Sequence, residues 1–140
     1  AAGVVWEPIH RVLEGARADD LQSALEAAWG VKAAPFAGAM PLHSVVLVRK
    51  EGKFTLIPPK EALPVVSMTA VVDDFAAKNP AVKIGYVHGE EPVVDAVRSG
   101  AVGLLLPKLD KSRFLETIHA IGTLPRKAFS MGEANEKRFY

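Results

Sequence analysis

The chain has 140 residues, a formal net charge of +1, 49% hydrophobic and 24% charged residues, and no cysteine. That length suits one domain over 1–140, and the near-balanced charge argues against nucleic acid, which calls for a clustered basic face. The lack of Cys removes disulfides, thiolate metal sites and thiol nucleophiles, and no apolar run approaches the ~18 residues of a membrane helix, so the reading is a cytoplasmic protein without a membrane partner.

Val4 to Leu13 is extended in pattern, and Pro8, which has no N–H for a ladder, predicts an edge or bulged strand. Alternation along a regular strand turns His10 and Arg11 to opposite faces, so only one of them can line a given pocket. The ordinary role for His10 is a half-buried ring with one hydrogen bond; the functional one is an acid or base. Asp19 or Asp20 is expected to cap a helix whose apolar side is Leu21, Ala24, Leu25, Ala28 and Trp29, closed by Gly30. Val31 to Pro41, rich in Ala, Pro and Gly, reads as a connector.

His43 to Pro58 predicts an antiparallel hairpin, with Val45–Val48 and Phe54–Ile57 flanking a turn at Lys50-Glu51-Gly52-Lys53. Arg49, Lys50, Glu51 and Lys53 read as a solvated edge. Pro64 suits the first turn of a second helix carrying Val65, Met68, Val71, Val72 and Phe75, with Asp73 and Asp74 turned to solvent. An extended run to His88, a helix from Glu90 to Ser99 and a second extended run, Val102 to Leu106, form a βαβ unit. A further helix, capped by Asp110 and carrying Phe114, Leu115, Ile118 and Ile121, is expected next.

These elements predict an α/β fold: a mixed sheet of about five strands, made of the antiparallel hairpin and the βαβ unit, with packed helices. Ligands of parallel strands collect beyond their C-terminal ends, which points to His88-Gly89-Glu90-Glu91 and Pro107-Lys108-Leu109-Asp110. Glu90 and Glu91 at a helix start repel phosphate, and neither a P-loop nor a Gly-x-Gly-x-x-Gly pattern occurs. No Gly-x-Ser-x-Gly elbow is present, and a lone His88 beside two loop carboxylates is better explained as a turn and helix start than as a metal site. No metal or cofactor is expected.

The segment Leu124 to Tyr140 concentrates charge, hydroxyls and aromatics. Ser130 and Glu133 have capping-box spacing, so a helix is expected to begin at Ser130. Arg126 and Lys127 before it, with Gly132 baring the backbone just inside it, form an expected anion site at the positive pole of that helix.

Leu-Pro-Arg-Lys-Ala-Phe-Ser-Met-Gly-Glu-Ala at 124–134, followed by Glu-Lys-Arg-Phe-Tyr at 136–140, resembles the closing motif of the family catalogued as domain of unknown function 1015. Pro8-Ile9-His10-Arg11 is similar to that family's Pro-Thr-His-Arg or Pro-Ile-His-Arg segment, and His43 stands where the family has a His before a strand. The resemblance implies that this chain corresponds to the C-terminal part of longer proteins, whose upstream Gly-His-His-Arg motif is not found here. The start, Ala1-Ala2-Gly3 without Met, and the end within an expected helix agree with a piece of a longer protein.

The expectation is a non-catalytic C-terminal module of a cytosolic protein. Its partners are the rest of its own full-length chain and an anionic small molecule, a phosphate or carboxylate, held by Arg126, Lys127, Ser130 and Gly132. Arg11 and His10 assist if the two ends meet; His43 is a further candidate. The alternatives are an enzyme using His10 as acid or base, and an interaction domain docking through Phe139 and Tyr140.

Overall fold

The computed structural model describes residues 5–110 and 129–130. The elements in chain order are β1 (Val5–Glu14), α1 (Ala18–Trp29), β2 (Ala34–Pro35), β3 (Val45–Arg49), β4 (Gly52–Leu56), α2 (Pro64–Lys78), β5 (Lys83–His88), α3 (Glu90–Arg98), β6 (Val102–Leu105), β7 (Leu109–Asp110) and β8 (Phe129–Ser130). Six strands lie in the order β2-β4-β3-β6-β1-β5, and β7 and β8 add to β1.

The α/β class, the hairpin and the strand–helix–strand unit are all found, with six strands on the main path where about five are expected. The pairings differ from the mixed sheet: β5 and β6 are each antiparallel to β1, and β3 is antiparallel to both β4 and β6. Strands β5 and β6 therefore run parallel to one another, but β1 is inserted between them. Both Val12 and Leu13 of β1 are buried, so the strand needs apolar cover on both faces and finds it inside the sheet. The expected edge strand is thus an interior one. Pro8 is accommodated at the point where pairing changes hands: Ile9 is opposite His88 of β5, and Pro8 and Glu7 are opposite Phe129 and Ser130 of β8.

Helix α1 forms where Leu21 and Leu25 bury one stripe, and it stops at Gly30, whose φ of 65° is the left-handed conformation that glycine adopts without cost. Its N-cap is Arg17 and not either aspartate; Asp19 and Asp20 lie inside the first turn, where they still favour the positive pole. Pro64 opens α2, whose Val65, Met68, Val72 and Phe75 are buried, while Asp73 and Asp74 face solvent as their positions predict. No helix among the described residues is long and apolar enough to cross a membrane.

Alternation along the strands divides the core into two. On one face Leu13, Leu47, Leu104 and Leu106 pack against Leu21 and Leu25 of α1 and Met68 and Val72 of α2. On the other, Val12, Val46, Val48 and Leu105 meet Val93 and Val97 of α3. Fully burying such a side chain contributes about 1.5–3 kcal/mol. Gly103 lets α3 approach closely, since a β-carbon there would overlap Val93.

Lys50 and Glu51 of the hairpin turn are exposed, as a solvated edge requires, but Arg49 and Lys53 are engaged with the helices. Arg49, with a side chain only 14% exposed, donates from Nη2 to Asp19 at 2.6 Å, from Nε to Glu51 at 2.7 Å and from Nη1 to Gln22 at 2.8 Å. These bonds to Glu51 and Asp19 raise the Arg49 pKa above its ordinary value, and the Glu51 carboxyl is lowered by the same guanidinium. Lys53 pairs with Glu90 at the start of α3. The turn thereby joins helices on both faces of the sheet.

Candidate functional site

A cavity of about 520 Å³ lies on the α3 face, lined by Pro8, His10, Met40, Leu42, Gly89, Glu90 and residues 105–108. Its origin is a break in the sheet. Strands β6 and β7 pair with β1 in one continuous register, from Leu13 opposite Val102 to Trp6 opposite Leu109, yet neither strand includes residues 106–108. In that register Pro8 would face Pro107, and neither ring nitrogen carries a hydrogen to donate. The two prolines cannot supply a ladder bond to one another, and the chain parts at this point.

His10 occupies the break. It is 8% exposed, and its Nδ1 accepts the Leu106 N–H at 3.0 Å, taking a donor released by the interrupted ladder. An imidazole that accepts at Nδ1 carries its proton on Nε2 when neutral. The ring is therefore fixed in orientation and tautomer by the backbone of the neighbouring strand. Lys108, exposed, adds a cation to the wall, and Glu90 adds a carboxylate already engaged by Lys53. Lys53 Nζ also lies 5.6 Å from the centroid of the Phe36 ring, within range of a cation–π contact.

Arg11 turns the other way, as alternation predicts, and takes no part in this cavity. It is 2% exposed beneath α2, where it donates to the Ile9 carbonyl and lies 3.5 Å from Thr69 Oγ1, with the guanidinium carbon 4.9 Å from the Tyr86 ring centroid. Burial pushes its pKa down from the ordinary arginine value, partly offset by Tyr86 and Asp73. It remains a cation, as guanidinium groups in proteins do. The joint use of His10 and Arg11 in one pocket is thereby corrected: adjacent residues on a regular strand cannot share a face.

His43 is a latch. Its Nε2 lies 3.0 Å from the Pro58 carbonyl and 2.9 Å from that of Pro59, so its N–H ties the approach to β3 to the chain leaving β4. That geometry is a structural role for the third candidate. Ser130 lies in β8, opposite Glu7 and one residue from the Phe129–Pro8 pair. The two segments of the expected site do adjoin, through backbone pairing next to a cavity residue. Arg126, Lys127 and Gly132 lie outside the described residues, as do the helix expected after Asp110, the helix expected after Ser130, and Phe139 and Tyr140. Asp110 itself belongs to β7.

The loops after β5 and β6, singled out by strand order, supply Gly89, Glu90, Pro107 and Lys108 to the wall. Sequence reasoning missed Met40 and Leu42, which arrive from the connector before β3; only the facing of Pro8 and Pro107 could have signalled the break. A second hollow, of about 420 Å³, borders the end of α1 and includes Glu26. Its carboxylate is committed to the Ala33 N–H at 2.8 Å, which lowers the carboxyl pKa below the ordinary glutamate value. Among the described residues no group of three or more metal-ligating side chains is assembled. The chain matches no protein-family model, no curated protein and no solved structure.

Proposed function

We propose that this domain is a non-catalytic binding module of a larger cytosolic protein, and that it holds a small anionic molecule in the cavity beside His10. The observation that carries the reading is the position of His10: nine-tenths buried, oriented by the Leu106 N–H, and in one wall with a lysine. The resemblance on Pro8-Ile9-His10-Arg11 and on the 124–140 segment supports it, because the β1–β8 pairing joins those two stretches at the edge of the cavity. A pocket of several hundred cubic ångströms with a few converging polar groups is the usual form of a small-molecule site.

The tautomer weighs against His10 as a general base. With Nδ1 occupied by a backbone donor and the proton on Nε2, the neutral ring has no accepting nitrogen left for a substrate. A module that binds, and leaves chemistry to another part of the protein, accounts for this geometry.

Calorimetric titration with phosphoserine, serine, adenine nucleotides and simple carboxylates tests the reading. Binding of at least one anion, weakened by about tenfold in Lys108→Glu, is expected from loss of one favourable charge and gain of an opposing one. Heat with none of them would sink it.

A further inference from the structure

We infer that the outer edge of β5 takes a second copy of this chain, whose own β5 adds to it antiparallel about a twofold axis and continues the sheet from one molecule into the next. Strand β5 is the last on the six-strand path, and its pairing among the described residues is with β1 alone. A strand edge presents a row of N–H and C=O groups that another strand can complete, and proteins that avoid this shorten the edge or place proline and charge on it. The opposite edge is guarded in that way, since β2 has two residues and one of them is Pro35. By contrast β5 has six residues and no proline, and the stretch inside it, Ile84 to Val87, carries no charged side chain.

Charge selects the occupant. Lys83 opens β5 and Glu91 lies just beyond its end; both are exposed, and neither forms an ion pair among the described residues. A parallel neighbour of the same sequence would set lysine beside lysine, whereas an antiparallel one brings the Lys83 of each copy to the Glu91 end of the other. The faces agree as well. Lys83 is opposite Glu14 of β1 and so shares the face of Val12, which is the face that α3 covers with Glu91 in its first turn. A twofold axis normal to the sheet keeps that face common to both copies. With Tyr86 opposite Tyr86 of the partner subunit, Ile84 stands opposite the partner's His88, Gly85 opposite the partner's Val87, and Lys83 level with the partner's Gly89, immediately before α3. Six paired residues span only about 20 Å, short of the contact made by tight complexes, so a dissociation constant on the order of 100 µM is expected.

Sedimentation velocity on the 140-residue chain, from about 10 µM to about 1 mM, tests the pairing. Lys83→Glu and Glu91→Lys should each weaken the dimer by roughly tenfold, because each turns two symmetric attractions into repulsions, and combining them should restore it to within about threefold. Amide chemical shifts of residues 84–88 should move with concentration while those of β2 stay fixed. A chain that remains monomeric to the highest concentration overturns the inference, and a monomer whose β5 amides are nevertheless slow to exchange would put another stretch of the chain on this edge. A dimer indifferent to both single reversals would place its interface elsewhere and overturn it equally. Recovery in the double variant separates loss of the contact from loss of the fold; weakening that is not recovered counts against the pairing.

Discussion

Among the described residues the two faces of the sheet are covered unequally. On one, α1 and α2 together close over Leu13, Leu47 and Leu104, and even an arginine is sealed among protein groups. On the other, the nine-residue α3 covers Val12, Val46 and Val48 and stops short of the break at residues 106–108, where the cavity opens. A sheet face needs helix enough to bury its whole apolar area, and among the described residues one short helix covers this face and leaves a cavity beside it. Neighbouring residues on the same strand consequently serve different ends: Arg11 and Leu104 belong to the sealed core, and His10 and Leu105 to the cavity wall.

The largest expected effect separates Leu104 from Leu105. Leu104→Ala should cost about 4 kcal/mol, because the enclosed face cannot collapse around the lost atoms, whereas Leu105→Ala should cost about 2 kcal/mol beside space that already exists. Urea unfolding of both variants reads this directly, and equal losses would mean that the two faces are packed alike.

A smaller contrast sets His10 against Arg11. His10→Phe leaves the Leu106 N–H without its acceptor in a buried setting, an expected loss of about 2 kcal/mol. Arg11→Met removes a buried cation whose described hydrogen-bond partners are a carbonyl and a hydroxyl, and a change under about 1 kcal/mol is expected, since a hydrophobic residue of similar volume replaces a desolvated charge well. Chemical denaturation of the pair decides it; a larger loss for Arg11→Met would show that the guanidinium is a principal support of the α2 face.

The smallest effect is the pH response of the turn that joins the faces. Glu51 has a folded pKa below its unfolded value because of Arg49, so its contribution is present above the unfolded carboxyl range and is lost as pH falls through the folded value. Glu26 has the same sign, from the Ala33 N–H. Melting temperatures should therefore drop between about pH 5 and pH 3, and Glu51→Gln together with Glu26→Gln should flatten that drop. An unchanged slope in the double variant would assign acid sensitivity to other carboxylates.

Much of the fold was legible because local physics wrote it. The Leu21 and Leu25 spacing with a closing glycine, Pro64 at a helix start, and alternating runs either side of Gly52 each need no distant partner to be recognised. The site was half legible: the loops after β5 and β6 follow from strand direction, and His10 stood out by type. Met40 and Leu42 were not, because a connector has no periodicity to say where it will lie. The N-cap of α1 was misplaced for a related reason, since Asp19 is drawn to Arg49 across the fold and not to its own backbone.

The amino-acid sequence alone determined the three described helices and the longer strands, and that His10 and Arg11 diverge, but not the short strands at Ala34–Pro35, Leu109–Asp110 and Phe129–Ser130. Only the tertiary structure decided that the β1 register brings Pro8 level with Pro107, because the insertion of β1 between β5 and β6 is a choice among strand orders of similar local pattern. That choice is made by long-range burial of both faces of β1, an energy no window of neighbouring residues contains.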